Sequence, residues 1–132
     1  MQFWLLKSEP DEYSWQKIAE EEIVEWDGVR NYQAQNYMRA MKLGDFAFFY
    51  HTGKEKAIFG IVEVFKEYYH VNDSKFGLID VKFFKSLSNQ VTLNDIKKNP
   101  LLKNMAMLKQ PRLSVSPVSE GEWNEIIGMG EC

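Results

Sequence analysis

Few side chains in this sequence can do covalent or metal chemistry. His51 and His70 are its two histidines, and Cys132 is its one cysteine. A hydroxyl nucleophile would have to be Ser8 or Ser114 working with His51, and a labelled oligonucleotide would be the natural substrate to try for such a hydrolase or nuclease. No G-x-S-x-G elbow, H-E-x-x-H pair or G-x-x-x-x-G-K-[ST] phosphate loop is present. Two widely separated histidines without neighbouring cysteines match no zinc pattern. These residues argue against an enzyme, and no metal or cofactor is expected. His70, beside Tyr68 and Tyr69, is expected on the surface.

Binding chemistry is better supplied. Trp26 is followed by Asp27, Gly28, Val29, Arg30, Asn31, Tyr32 and Gln33, a stretch that joins a large flat ring to donors and acceptors around a glycine turn. Such a set suits a planar heterocycle: stacking holds a base for about 1–3 kcal/mol, and hydrogen bonds to its edge identify it. The alternative is that Trp26 fills the core and Arg30 pairs with Asp27 or Glu25. His51 adjoins Tyr50 at the end of an apolar run, which would place an aromatic wall and a ring nitrogen at a sheet edge. Its alternative is a strand-end histidine bonded to a nearby carbonyl.

The elements that must position these residues can be traced from pattern. Phe3–Leu6 forms a strand candidate that turns at Pro10, where proline withholds a ladder donor. Ser14 can cap a short helix through Glu22, with Trp15, Ile18 and Ala19 on its buried side. Glu20, Glu21 and Glu22 oppose the dipole at its C-terminal end and favour early fraying. Glu25–Tyr32 has neither period and is expected as a loop. Ala34, Tyr37, Met38 and Met41 recur at helical spacing before Gly44 ends that helix.

Phe46–Tyr50 is apolar enough for a strand buried on both faces. Ile58–Phe65 and Leu78–Lys85 follow as strands, and Gly60 suggests a bulge or a close backbone approach. Thr92 with Asp95, and Ser119 with Glu122, match the [ST]-x-x-[DE] signature and predict helices over Thr92–Lys98 and Ser119–Ile127. The last would bury Trp123 and Ile127. Between them a loop from Lys109 feeds a short strand carrying Leu113 and Val115. Non-repeating strands mixed with short helices favour an α+β, barrel-like fold over a parallel βαβ sheet.

The chain has 132 residues, 45% of them hydrophobic and 27% charged, which fits a single domain over 1–132 with a real core and excludes a disordered protein. Its apolar runs fall well short of the roughly 20 residues of a membrane span. With no signal-like opening and no disulfide framework, the expectation is a soluble cytoplasmic protein in a reducing compartment without membrane contact. The net charge of −3 does not favour bulk attraction to nucleic acid. That total conceals asymmetry: residues 82–112 set six lysines and Arg112 against Asp95 alone. A local basic face and a set of merely solvated lysines are both compatible with this run.

The order Phe3-Trp4-Leu5-Leu6-Lys7-Ser8-Glu9-Pro10-Asp11-Glu12-Tyr13-Ser14-Trp15, then Trp26-Asp27-Gly28-Val29-Arg30-Asn31-Tyr32-Gln33-Ala34, closely resembles the EVE domain family. Met41–Asp45, Phe48–His51, Gly60–Val64 and Gln110–Val118 continue the resemblance in family order along nearly the whole chain. The resemblance implies a PUA-like fold, a small curved mixed β-barrel with surrounding short helices, related to YTH domains. It also implies a non-catalytic module that receives an extruded modified base: 5-methylcytosine or 5-hydroxymethylcytosine in DNA, or a modified base in RNA. By the same comparison Trp26 is the aromatic wall, Lys7 and Ser8 lie beside the pocket, and Asn31, Tyr32, Gln33, Tyr50 and His51 lie at its rim or floor. Arg112, Leu113 and Ser114 would complete the opposite side.

Arg30 and Lys109, with the basic Lys82–Arg112 region, would meet phosphates. Where many relatives resemble Gln-Ala-Arg-Asn, this chain has Gln33-Ala34-Gln35-Asn36, which removes a cation that could meet a phosphate and predicts weaker backbone affinity. Pro111 stands where relatives often have a small residue, so the approach of the Gln110–Arg112 loop is expected to differ. The competing class is a protein-interaction adaptor whose aromatic cleft holds a peptide.

Overall fold

A computed structural model of the protein describes residues 1–9 and 13–131. The turn expected at Pro10 and the terminal Cys132 lie outside the described residues. The chain runs β1 (Phe3–Ser8), α1 (Trp15–Glu21), β2 (Ile23–Trp26), α2 (Tyr32–Ala40), β3 (Phe46–His51), β4 (Ala57–Tyr69) and β5 (Leu78–Thr92). It continues through α3 (Leu93–Lys98), a 3-10 turn (Pro100–Leu102), α4 (Ala106–Lys109), β6 (Val115–Val118) and α5 (Glu120–Glu131).

The strands form one six-stranded sheet in the order β2-β5-β4-β3-β1-β6. β1 runs parallel to β3, and the other neighbours are antiparallel. The α+β class holds, but the expected barrel does not close. Closure requires the two end strands to pair. Among the described residues β2 pairs only with β5, β6 pairs only with β1, and α2 packs on β6 instead.

Strand alternation feeds two cores, one on each face. Trp4, Leu6, Ala47, Phe49, Val62 and Val64 share one with Trp26, while Leu5, Phe48, Tyr50, Ile58 and Ile61 share the other with Trp123. Phe48 and Phe49 are both fully buried, as expected for β3; each such side chain is worth about 1.5–3 kcal/mol of burial. Trp123 lies flat on Phe48, with ring centroids 3.9 Å apart. In α5 its companion is the fully buried Ile126, one position before the expected Ile127, which is only half-buried.

The helix starts follow the cap signals. Ser14 accepts from the Lys17 amide at 3.1 Å, Thr92 and Asp95 form a reciprocal capping box, and Ser119 and Glu122 exchange the same pair of bonds. α1 stops at Glu21, with Glu22 turning to φ 66°. Gly60 meets both expectations stated for it. The strand register shifts between Ile58 and Gly60, and a Cβ at Gly60 would stand 2.1 Å from the Trp15 ring and 2.7 Å from the Lys85 carbonyl. The segment expected wholly as a loop begins as strand: Glu25 and Trp26 pair with Asp80 and Ile79 of β5. Among the described residues no helix is long and apolar enough to cross a membrane.

Candidate nucleic-acid interface

β2 ends at Trp26, and the chain turns through Gly28, at φ 76°, into α2. This turn, with the C-terminal half of β1 and the residue before β6, encloses a cleft of about 470 Å³. Lys7, Tyr13, Trp26, Asp27, Gly28, Val29, Arg30, Asn31 and Ser114 line it. Trp26 is 5% exposed and belongs to the core, where its ring meets Phe49 edge-on at 5.7 Å. The core reading therefore holds for most of the ring, and its remaining surface lines the cleft. Tyr13 lies alongside, its ring 6.1 Å away and tilted by only 24°. No ion pair joins Arg30 to Asp27 or Glu25; its guanidinium lies 6.0 Å from the Phe76 ring.

Two side chains hold this loop in place. Asn31 caps α2 by accepting from the Ala34 amide at 3.0 Å. Gln35, 1% exposed, donates to the carbonyls of Val29 at 2.8 Å and Gly77 at 3.0 Å. Its oxygen accepts from the Gly77 amide at 3.0 Å and from the Tyr68 hydroxyl. The amide is thus fully used, two donors and both lone pairs. Position 35 faces the interior, where Gln35 latches the Val29 loop to Gly77.

Lys7 links the cleft to two neighbours. Its ammonium donates to the Pro111 carbonyl at 2.8 Å and lies 5.7 Å from the Tyr50 ring. Burial pushes its pKa down. A groove of about 350 Å³ lies on one side, lined by Asn31, Gln33 and the Gln110–Leu113 segment. A second cleft, about 310 Å³, takes in Lys7, Tyr50 and Pro111. The Lys7–Pro111 bond thus joins residues that line all three.

The expected site residues separate accordingly. Lys7, Trp26, Asn31, Ser114 and Arg30 share the Trp26 cleft, while Gln33, Arg112 and Leu113 line the adjoining groove. Tyr50 belongs to the opposite core and opens on the second cleft. The structure does not bring Ser8, Tyr32 or His51 to the Trp26 cleft. Ser8 is buried, with its hydroxyl on the Tyr13 carbonyl at 2.9 Å. Tyr32 is exposed and packs on Phe76.

His51 is 5% exposed, and its Nε2 accepts from the Trp15 amide at 2.9 Å. That contact assigns the proton to Nδ1, which faces Glu55 at 3.3 Å. His51 therefore serves the first amide of α1, a donor the helix leaves unpaired. The carbonyl partner expected for it is an amide and a carboxylate instead. Lys109 ends α4 and is absent from the linings of these clefts. Of the basic 82–112 run, Lys85 meets Glu131 at 3.5 Å, whereas Lys97 and Arg112 border the clefts.

Asp27, Gly28 and Val29 line the cleft as members of the stretch read after Trp26, whereas Tyr13 was not among the expected site residues. The only signal for Tyr13 was its place in the motif ending at Trp15, since its ring reaches Trp26 through tertiary packing. Burial and the nearby Asp27, Glu21 and Glu25 carboxylates push the Tyr13 phenol up, so it stays neutral and a donor. The cleft accordingly combines flat aromatic surface, one carboxylate and two cations. Such a set can stack on a planar ring, accept from an exocyclic amine and attract a phosphate. Among the described residues no group of three or more His, Cys, Asp or Glu could hold a metal.

The EVE domain family model matches residues 2–129, and the chain belongs to that family. Thymocyte nuclear protein 1 of Gallus gallus is 35% identical, the match covering 97% of this chain and 68% of that protein. Among solved structures, protein Atu2648 of Agrobacterium tumefaciens is 42% identical with a TM-score of 0.93, covering 98% of this chain and 93% of that one. Human THYN1, solved in complex with DNA containing 5-methylcytosine, is 31% identical with a TM-score of 0.91, covering 100% of this chain and 99% of that one.

Proposed function

We propose that this protein is a non-catalytic DNA-binding module that reads 5-methylcytosine. The observation carrying this is the Trp26–Tyr13 aromatic pair beside Asp27, in a chain alike over its full length to a protein crystallised with 5-methylcytosine DNA. The base leaves its stack and enters the Trp26 cleft. The Asp27 carboxylate accepts from the cytosine amino group, the pairing that favours cytosine over thymine. Asn31 and Ser114 supply the remaining polar contacts, and Val29 gives the methyl apolar surface, a discrimination worth about 1–3 kcal/mol. Arg30 and Lys7 face the phosphates. Of the residues offered for catalysis, Ser8 and His51 are engaged with backbone groups and are absent from the lining of the cleft that Ser114 enters, which supports a binding role over a Ser–His pair.

The test is a binding comparison by fluorescence anisotropy. Matched DNA duplexes with and without one 5-methylcytosine are titrated, together with the 5-hydroxymethylated duplex and an RNA strand carrying the methylated base. Tighter binding of methylated DNA, lost in Tyr13→Ala, is expected. Preference for the RNA would reassign the ligand, and equal, negligible binding throughout would favour a peptide-binding adaptor.

A further inference from the structure

The second cleft has a composition that base reading in the Trp26 cleft does not use. It sets three lysines, Lys7, Lys56 and Lys97, around an apolar floor that includes Leu93, Met107 and Leu108, with the Tyr50 ring beside it and no carboxylate in the lining. Among the described residues none of the three lysines forms an ion pair. Lys7 is tethered by one hydrogen bond to the Pro111 carbonyl, which leaves two ammonium protons for another acceptor. Cations gathered at one concavity repel each other, and an anion relieves that repulsion. In a chain of net charge −3 this is a local exception.

From this juxtaposition of three unpaired lysines with an apolar floor, in a cleft sharing Lys7 with the Trp26 cleft, we infer that it holds the nucleotide next to the extruded base on the same strand. Its phosphate sits among the lysines, and its base or sugar covers Leu93 and Met107. The inference rests on the reading of the Trp26 cleft as the base site. Shared use of Lys7 is what makes the two clefts consecutive along a strand: one ammonium serves the junction between two nucleotides. Burial already holds the Lys7 pKa down, and an incoming phosphate reverses that shift.

The experiment compares wild-type protein with Lys56→Glu/Lys97→Glu and with Lys42→Glu/Lys103→Glu. All four lysines are exposed, and Lys42 and Lys103 are absent from the cleft lining, so the second pair carries the same charge change elsewhere. Circular dichroism establishes that each variant is folded. Titration uses the methylated and unmethylated duplexes over a series of salt concentrations. The cleft variant is expected to bind both duplexes about tenfold more weakly than the control variant. The slope of log K against log salt should fall by about 1, with the preference for methylated DNA unchanged.

Binding by the cleft variant within about twofold of the control would overturn the inference, because a phosphate contact predicts a larger loss. The two readings fail separately. Absence of methyl preference in wild-type protein sinks the base-site reading, whereas equal binding by the two variants sinks this one whatever the preference.

Discussion

The rings of Tyr13 and Trp26 lie 6.1 Å apart and within 24° of parallel, although one precedes α1 and the other ends β2. Trp26 is anchored from behind by Phe49, whereas Tyr13 is only half-buried. The two rings therefore differ in what their removal costs. Trp26→Ala should destabilise the protein by about 3–5 kcal/mol, as expected for a large aromatic removed from a core. Tyr13→Ala should remain folded and lose about 1–3 kcal/mol of affinity for the methylated duplex. Denaturant titration and anisotropy, run on both variants, separate the effects. Full affinity in a folded Tyr13→Ala would remove that ring from the site.

Gln35 joins the Val29 loop to Gly77 through a completely used amide. Gln35→Leu strands buried backbone groups on both segments, each at about 1–3 kcal/mol. The variant should be destabilised by about 3 kcal/mol. Amide exchange across residues 28–31 should accelerate more than in β3. Uniform acceleration across the protein would show that Gln35 acts on global stability alone.

His51 is a positioning residue for α1. His51→Ala removes the acceptor for the Trp15 amide and should cost about 1–2 kcal/mol, the scale of a lost helix cap. Binding of the methylated duplex by the folded variant should stay within about twofold of wild type, since His51 lies outside the cleft. A large affinity loss without a stability change would return it to the binding site.

Glu25 and Asp80 face each other across the β2–β5 pair, and the Tyr69 hydroxyl stands 2.5 Å from Asp80 and 3.3 Å from Glu25. Burial, then the Asp80 hydrogen bond and the two carboxylate charges, push the Tyr69 phenol well above its ordinary value of 10.0. Above pH 10 the unfolded tyrosine loses its proton while the folded one keeps it. The folded state then binds more protons, and stability falls as pH rises. Urea midpoints measured upward from pH 10 should fall more steeply in wild type than in Tyr69→Phe. Parallel curves would mean that this phenol ionises normally.

Local pattern determined much of this protein. The capping boxes at Thr92 and Ser119 and the two-faced β3 depend on neighbours a few residues away, so their spacing alone specifies them. The polar loop after Trp26 was legible for the same reason, whereas Gly60 was legible as a special position whose cause, the Trp15 ring and the Lys85 carbonyl, lies far away in the chain. The motif order also identified the family, because it preserves residue types whose reasons are tertiary.

Only the tertiary structure decided the rest. β2 exists because β5 offers it a partner, and a four-residue strand has too little pattern to declare itself. Whether the sheet closed depended on its end strands pairing, which no local signal encodes. Tyr50 and Trp26 carry similar surfaces, yet strand alternation and sheet order put them in opposite cores. Tyr13 joined the cleft, and His51 left it for the Trp15 amide, through contacts between residues far apart in the chain. Residue type sets which interactions a side chain can make; packing of distant segments sets which of them it makes.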